Sequence, residues 1–292
     1  MPILTSVGRA ALLAAVAAMA MSASAAAPKA AAAPAGSARD LFSFAAGARI
    51  VEAPADALMT QMDASPLNLI DDSTVTDWTG EAGQATFVFE LSELTELSRI
   101  AFDTGGLNRD AKAPNAFVVE LSKTSATQGY TQILRGTLQM ARNGQSFAFK
   151  VGERPVGQWV RLTILTNHGD DYQGFTGFHG YGQQLTTAAA MPGLTGKYDG
   201  ASGWGRVNLA ASGAQVSGCY EFQQGEFAGV VDGRVLKLSM LQREDGTRMN
   251  GLFQLLPGGK LMGLVRSAGP AYRDTYAAYY SAQKVNGKPN SC

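Results

Sequence analysis

Asn68-Leu69-Ile70-Asp71-Asp72-Ser73-Thr74-Val75-Thr76-Asp77-Trp78 places an acidic turn, two threonines and a tryptophan just before a run that alternates in polarity, with Phe87, Phe89 and Leu91 on one face. An acidic turn feeding a strand of period two is the start of an antiparallel sheet. The same alternation recurs in Phe117, Val119 and Leu121, in Phe147, Phe149 and Val151, and in Val160, Leu162 and Ile164. Helical periodicity is nearly absent. One short helix is expected over residues 55–62, with Pro54 suited to its first turn. Several short strands spaced by turns predict an all-β chain whose first domain, residues 40–185, is a sandwich.

A patternless stretch at residues 186–193 ends in Pro192-Gly193 and reads as a linker. Beyond it, residues 194–292 carry a weak internal repeat. Val216-Ser217-Gly218-Cys219-Tyr220, Phe227-Ala228-Gly229-Val230-Val231, Met249-Asn250-Gly251-Leu252-Phe253 and Leu261-Met262-Gly263-Leu264-Val265 each hold a glycine in the third slot. A glycine inside a strand relieves crowding where a sheet coils or another segment comes close. Turn signals at Gln224-Gly225, Asp232-Gly233, Asp245-Gly246 and Pro257-Gly258-Gly259 separate the units. The expectation is an antiparallel meander curled into a small barrel or a strongly bent sheet.

The 292 residues hold 24 basic and 24 acidic side chains. With no basic excess, nucleic acid is not an expected partner. Arg9, the apolar run Ala10 to Met21 and Ala23-Ser24-Ala25 read as a signal peptide over residues 1–25, too short for a comfortable membrane span. An uncleaved anchor is the competing reading. Residues 26–39, rich in Ala and Pro, read as a flexible lead. No later segment is apolar enough to span a membrane. Export to the periplasm or the medium is therefore expected. Cys219 and Cys292 are the only cysteines. In an exported chain such a pair suggests a disulfide, against the alternative of two free thiols.

The order of Asn68-Leu69-Ile70-Asp71, Thr76-x-Trp78, Phe87-Val88-Phe89-Glu90-Leu91, Leu97-Ser98-Arg99-Ile100, Phe117-Val118-Val119-Glu120-Leu121-Ser122, Trp159-Val160-Arg161-Leu162 and Tyr181-Gly182 resembles the discoidin, or coagulation factor 5/8 type C, domain over most of residues 41–183. The resemblance implies a galactose-binding-like jelly roll that binds carbohydrates, lipids or proteins outside the cytoplasm. It also implies a structural calcium, for which Asp71, Asp72 and Thr76 are the candidate ligands. The chain departs from that pattern twice. The acidic turn is Asp71-Asp72-Ser73 rather than Asp-Gly-Asp, and Gly177 stands where many members carry a glutamate that helps hold the ion. The competing reading of Asp71 and Asp72 is an Asx-turn bonding its own loop. Trp78 is read as core rather than as a sugar platform. Residues 194–292 resemble, more loosely, small glycine-rich β-barrel modules of bacterial envelope proteins, through Leu194-Thr195-Gly196-Lys197-Tyr198, Gly203-Trp204-Gly205 and Val216 to Glu221. That resemblance implies architecture rather than activity. Tyr272, Tyr276, Tyr279 and Tyr280 are read as core and disulfide packing of the last segment, with a second contact surface as the alternative.

Two polar loops are the expected ligand surface: Gly105 to Lys112, and Asn167 to Phe175. Sugar recognition needs planar hydrogen-bonding groups beside an aromatic platform, because hydroxyls come with apolar C–H faces. Asn108, Arg109, Asp110, His168, Asp170, Tyr172 and Phe175 supply that chemistry. Catalytic patterns are missing: there is no Gly-x-Ser-x-Gly elbow, no His-Glu-x-x-His and no phosphate or dinucleotide fingerprint. Adjacent Asp170 and Asp171 diverge on an extended chain, which is poor geometry for a glycosidase pair. The reading is an exported, non-catalytic binding protein for glycan or envelope polysaccharide. The alternative is an envelope structural or protein-interaction component, and the outsider is a hydrolase around His168, Asp170 and Asp171.

Overall fold

The computed structural model describes residues 39–54, 64–73, 75–187, 191–200, 203–268, 278–290 and 292. The expected signal peptide, the lead up to residue 38, the helix expected over residues 55–62, and Tyr272 and Tyr276 lie outside the described residues.

Among the described residues, the first half is a sandwich of nine strands: β1 (Arg49–Glu52), β2 (Trp78–Glu81), β3 (Ala85–Asp103), β4 (Ala116–Ser122), β5 (Thr131–Thr137), β6 (Gln145–Ala148), β7 (Val156–Ile164), β8 (Tyr172–Phe175) and β9 (Gly177–Gln184). Seven of them form one antiparallel sheet in the order β1-β3-β7-β4-β5, with β6 and β9 pairing to β3; β2 and β8 pair separately. The period-two apolar residues become cross-strand rows. Phe87 lies opposite Leu162, which lies opposite Val119; Phe89 lies opposite Val160, which lies opposite Leu121. Such rows fix register, because a slip of one residue would turn every apolar side chain to the other face. Strand β3 pairs through its first half with β1 and β7 and through its second with β6 and β9. It thus carries both halves of the sandwich.

The core is aromatic. Trp78 meets Phe87 edge-on at 4.7 Å and Phe175 at 6.0 Å, and Phe102 packs on Phe117 at 4.6 Å and Phe178 at 5.0 Å. Each is fully buried, a burial that stabilises by about 1.5–3 kcal/mol per side chain. One expected face is corrected. Val151 does not continue the Phe147 strand; β6 ends at Ala148, and the chain turns at Lys150 with a Glu153 N–H to Lys150 carbonyl bond of 3.0 Å. Val151 is left 84% exposed.

The second half is a closed eight-stranded barrel of β10 (Gly196–Gly200), β11 (Gly205–Ser212), β12 (Gln215–Tyr220), β13 (Gly225–Asp232), β14 (Val235–Leu241), β15 (Arg248–Leu256), β16 (Lys260–Ser267) and β17 (Ala278–Val285). Each strand pairs with the next, and β10 closes on β17. The repeated glycines make room for rings and backbone. A Cβ on Gly218 would lie 2.5 Å from the Phe227 ring. One on Gly263 would lie 2.4 Å from the Phe253 ring and 2.1 Å from the Leu252 carbonyl oxygen. Trp204 fills part of the interior, with ring contacts at 5.2 Å to Tyr220, 5.1 Å to Phe253 and 4.6 Å to Tyr280. A disulfide between Cys219 and Cys292 ties the C-terminal residue to β12 across 73 residues.

Sandwich and barrel belong to one compact unit. Strand β16 shows why. Leu261 and Val265 face the barrel core, while Met262 and Leu264, of opposite parity, join the sandwich core together with Tyr279. Loss of alternation on β3 has the same cause. Glu90 is buried on the face away from Phe89, where it bonds Arg49 at 2.7 Å and the barrel's Arg234 at 2.7 Å.

Candidate functional site

The two candidate loops meet because the strands that launch them are neighbours. Phe117 at the start of β4 lies opposite Ile164 at the end of β7. The loop before β4 and the loop after β7 therefore leave the same end of the sheet. Backbone bonds then join them: Asn115 N–H to the Thr166 carbonyl at 2.7 Å, and His168 N–H to the Ala111 carbonyl at 3.2 Å. Pro114 and Asn167 form an isolated bridge.

Asn167 organises the second loop. Its Oδ1 accepts the Gly169 amide at 3.0 Å, and its Nδ2 donates at 2.7 Å to the carbonyls of Asp170 and Tyr172. Asp170 Oδ1 accepts the Tyr172 amide at 2.9 Å and pairs with Arg109 Nη2 at 3.0 Å. Tyr172, at the rim of β8, keeps 46% of its surface exposed. Two cations flank its ring: the Arg109 guanidinium at 5.5 Å and the Lys112 ammonium at 5.7 Å from the centroid. Lys112 is buried as a whole, only 6% exposed, so it supports the ring rather than facing solvent. Asn108 and Asp110 are exposed on the same loop. The result is a shallow platform, an aromatic face edged by charged and amide groups. Clefts of about 670 and 530 Å³ lie elsewhere, beside His179 and on the outer face of the barrel.

One candidate is placed differently from the expectation. Phe175 is fully buried against Trp78, Phe87 and Phe102, because β8 turns alternate side chains inward, so it is not available to a ligand. His168 stands at the edge of the platform with Nε2 2.9 Å from the Leu138 carbonyl, to which it donates. Asp170 is committed to Arg109. The pairing of these two that a hydrolase would use is not formed. Lys112 and Asn167 complete the platform, although sequence reasoning did not pick them as site residues. Only their positions inside the two polar loops could have drawn attention to them.

The acidic turn is a buried network. Asp71 Oδ1 accepts the Ser73 amide at 2.8 Å; Oδ2 accepts the Thr76 hydroxyl at 3.0 Å, Arg266 Nη2 at 2.9 Å and the Tyr279 hydroxyl at 3.2 Å. Burial pushes the Asp71 carboxyl up, and the Arg266 guanidinium, the Ser73 amide and the two hydroxyls pull it back only in part. Burial and the Asp71 charge likewise raise Tyr279 far above the ordinary phenol range. Asp72, in the slot where the resembled family has glycine, adopts φ 62°, the left-handed conformation that glycine takes freely and Asp tolerates. These residues do not fit a calcium site, since a guanidinium already bonds the carboxylate. Among the described residues, no group of three or more His, Cys, Asp or Glu is placed to hold a metal ion.

His179, unassigned by sequence, stands between two carboxylates. Its Nδ1 is 2.7 Å from Asp40 Oδ2 and its Nε2 is 3.0 Å from Asp103 Oδ2. Both ring nitrogens face acceptors, so the ring is an imidazolium. Burial opposes that charge, yet the bonds to Asp103 and Asp40 outweigh it and hold the pKa up to about 10. On Asp103 burial is likewise outweighed, by the His179 and Gly144 bonds, and its pKa is lowered.

No family model matches the chain, and no curated protein matches it. Solved structures similar to its fold include a carbohydrate-binding module from Clostridium perfringens in complex with GalNAc-β-1,3-galactose (12% identity over 49% of this chain and 99% of that one, TM-score 0.42). The family 32 module of NanJ from Clostridium perfringens, in complex with galactose, matches at 13% identity over 46% of this chain and 91% of that one, TM-score 0.37. The family 32 carbohydrate-binding module of EndoD from Streptococcus pneumoniae matches at 10% identity over 50% of this chain and 100% of that one, TM-score 0.35.

Proposed function

We propose that the protein is an exported, non-catalytic carbohydrate-binding protein, and that the Tyr172 platform is its recognition surface. The observation that carries this reading is an exposed ring edged by Arg109 and Lys112 and fixed from below by the Asn167 bonds. The C–H face of a sugar would pack on Tyr172, and its hydroxyls would bond Arg109, Asn108, Asp110 and His168. A preformed loop surface loses little freedom on binding. Export is supported by the signal-like first segment and by a disulfide of the kind that persists in oxidising compartments. An array of cell-wall and exopolysaccharide fragments tests the reading. Binding that Tyr172→Ala abolishes supports it, and a blank array for the folded protein contradicts it.

A further inference from the structure

The acidic turn already holds a cation, and that cation comes from the other half of the chain. Arg266 and Asp71 side chains are both 0% exposed, 2.9 Å apart. The guanidinium also donates through Nη1 to the Asp71 carbonyl at 2.9 Å. It thus spans a carboxylate oxygen and a carbonyl oxygen of one residue, a pair of acceptors suited to a hard cation. Its placement follows from strand parity. Arg266 shares a face of β16 with Met262 and Leu264, which pack into the sandwich core. Beside it, Tyr279 of β17 donates to Asp71 and to Asn68 Oδ1.

A second observation is independent of this network. A Cβ at Gly177, the position of the missing glutamate, would lie 2.5 Å from His179 Nε2 and 3.3 Å from Asp103 Oδ2. The imidazolium and the Asp103 carboxylate thus crowd the position from which a further metal ligand would come.

We infer that Arg266 is the built-in cation of the acidic turn, supplied by the barrel to the sandwich, so that the sandwich depends on the docked barrel and not on a metal ion. A buried pair of this kind is costly to break, because removing one partner leaves the other charged and unsolvated. The acidic turn, the sandwich core and β16 are thereby expected to melt together.

Thermal unfolding of the full chain without its first 25 residues tests this, in calcium chloride and in EDTA. The wild type should melt at the same temperature in both, and calorimetric titration with calcium chloride should show no saturable binding. Arg266→Met should lower Tm by on the order of 10 °C. Asp71→Asn with Arg266→Met should cost less than the sum of the single changes. If Arg266→Met does not fold, Arg266→Lys, which keeps the charge but cannot span both oxygens, should still fold, with a Tm several degrees below the wild type. A wild-type Tm that calcium raises by several degrees, with the rise lost in Asp71→Asn, would overturn the inference. So would an Arg266→Met protein as stable as the wild type in EDTA.

Discussion

Arg109 Nη2 lies 3.0 Å from Asp170 Oδ1, joining the loop before β4 to the loop after β7. The arginine side is 51% exposed, so the pair contributes at most about 1 kcal/mol to stability. Arg109→Ala should leave Tm within about 3 °C of the wild type by differential scanning fluorimetry. Its effect should fall instead on glycan affinity, lowered about tenfold through loss of a positioned donor.

Tyr172 and Phe175, three residues apart on β8, should respond in opposite ways. Phe175 is fully buried, and Phe175→Ala should cost about 3–5 kcal/mol in urea unfolding. Tyr172→Ala, at the exposed rim, should stay within about 0.5 kcal/mol. Equal losses at the two positions would mean that the ring of Tyr172 is packed rather than presented.

His179 gives the fold a pH signature on the alkaline side. Its folded pKa of about 10 exceeds the ordinary value of 6.5. The folded state therefore holds a proton that the unfolded state releases. This contribution is complete below about pH 6.5 and is lost as pH rises through about 10. Asp103 has the opposite sign: its pKa is lowered, so its contribution is present above the ordinary carboxylate range and lost as pH falls. Wild-type Tm should decline between pH 7 and 10 more steeply than that of His179→Gln, measured under identical salt.

The disulfide predicts a further loss. Closing a 73-residue loop restricts the unfolded chain, worth about 4 kcal/mol in the chain-entropy model. Cys292→Ser should lose stability on that scale without changing glycan affinity, since Cys219 and Cys292 lie in the barrel half and not among the platform residues. Native mass measurement should find the wild type two hydrogens lighter than its reduced form.

Strand alternation made the sheet legible: Phe87, Phe89, Val119, Leu121, Val160 and Leu162 show period two because one face of each strand is buried in a common core. The glycine slots made the barrel legible for a comparable reason, each relieving a specific crowding such as Phe227 on Gly218. What could not be read is long-range. The Asp71–Arg266 bond joins residues 195 apart, and the His179–Asp40 bond joins residues 139 apart. Neither leaves a local periodicity. The burial of Phe175 was hidden because only its place in the β8 pleat, not its loop context, decides which way it points.

Glycan recognition by this surface rests most directly on Tyr172. Isothermal titration of the folded protein with the cell-wall or exopolysaccharide fragment that scores strongest on an array tests it, comparing wild type and Tyr172→Ala. The account predicts saturable binding by the wild type and about tenfold or greater loss in Tyr172→Ala at unchanged Tm. Undiminished affinity in Tyr172→Ala would contradict it and move the recognition surface away from these loops.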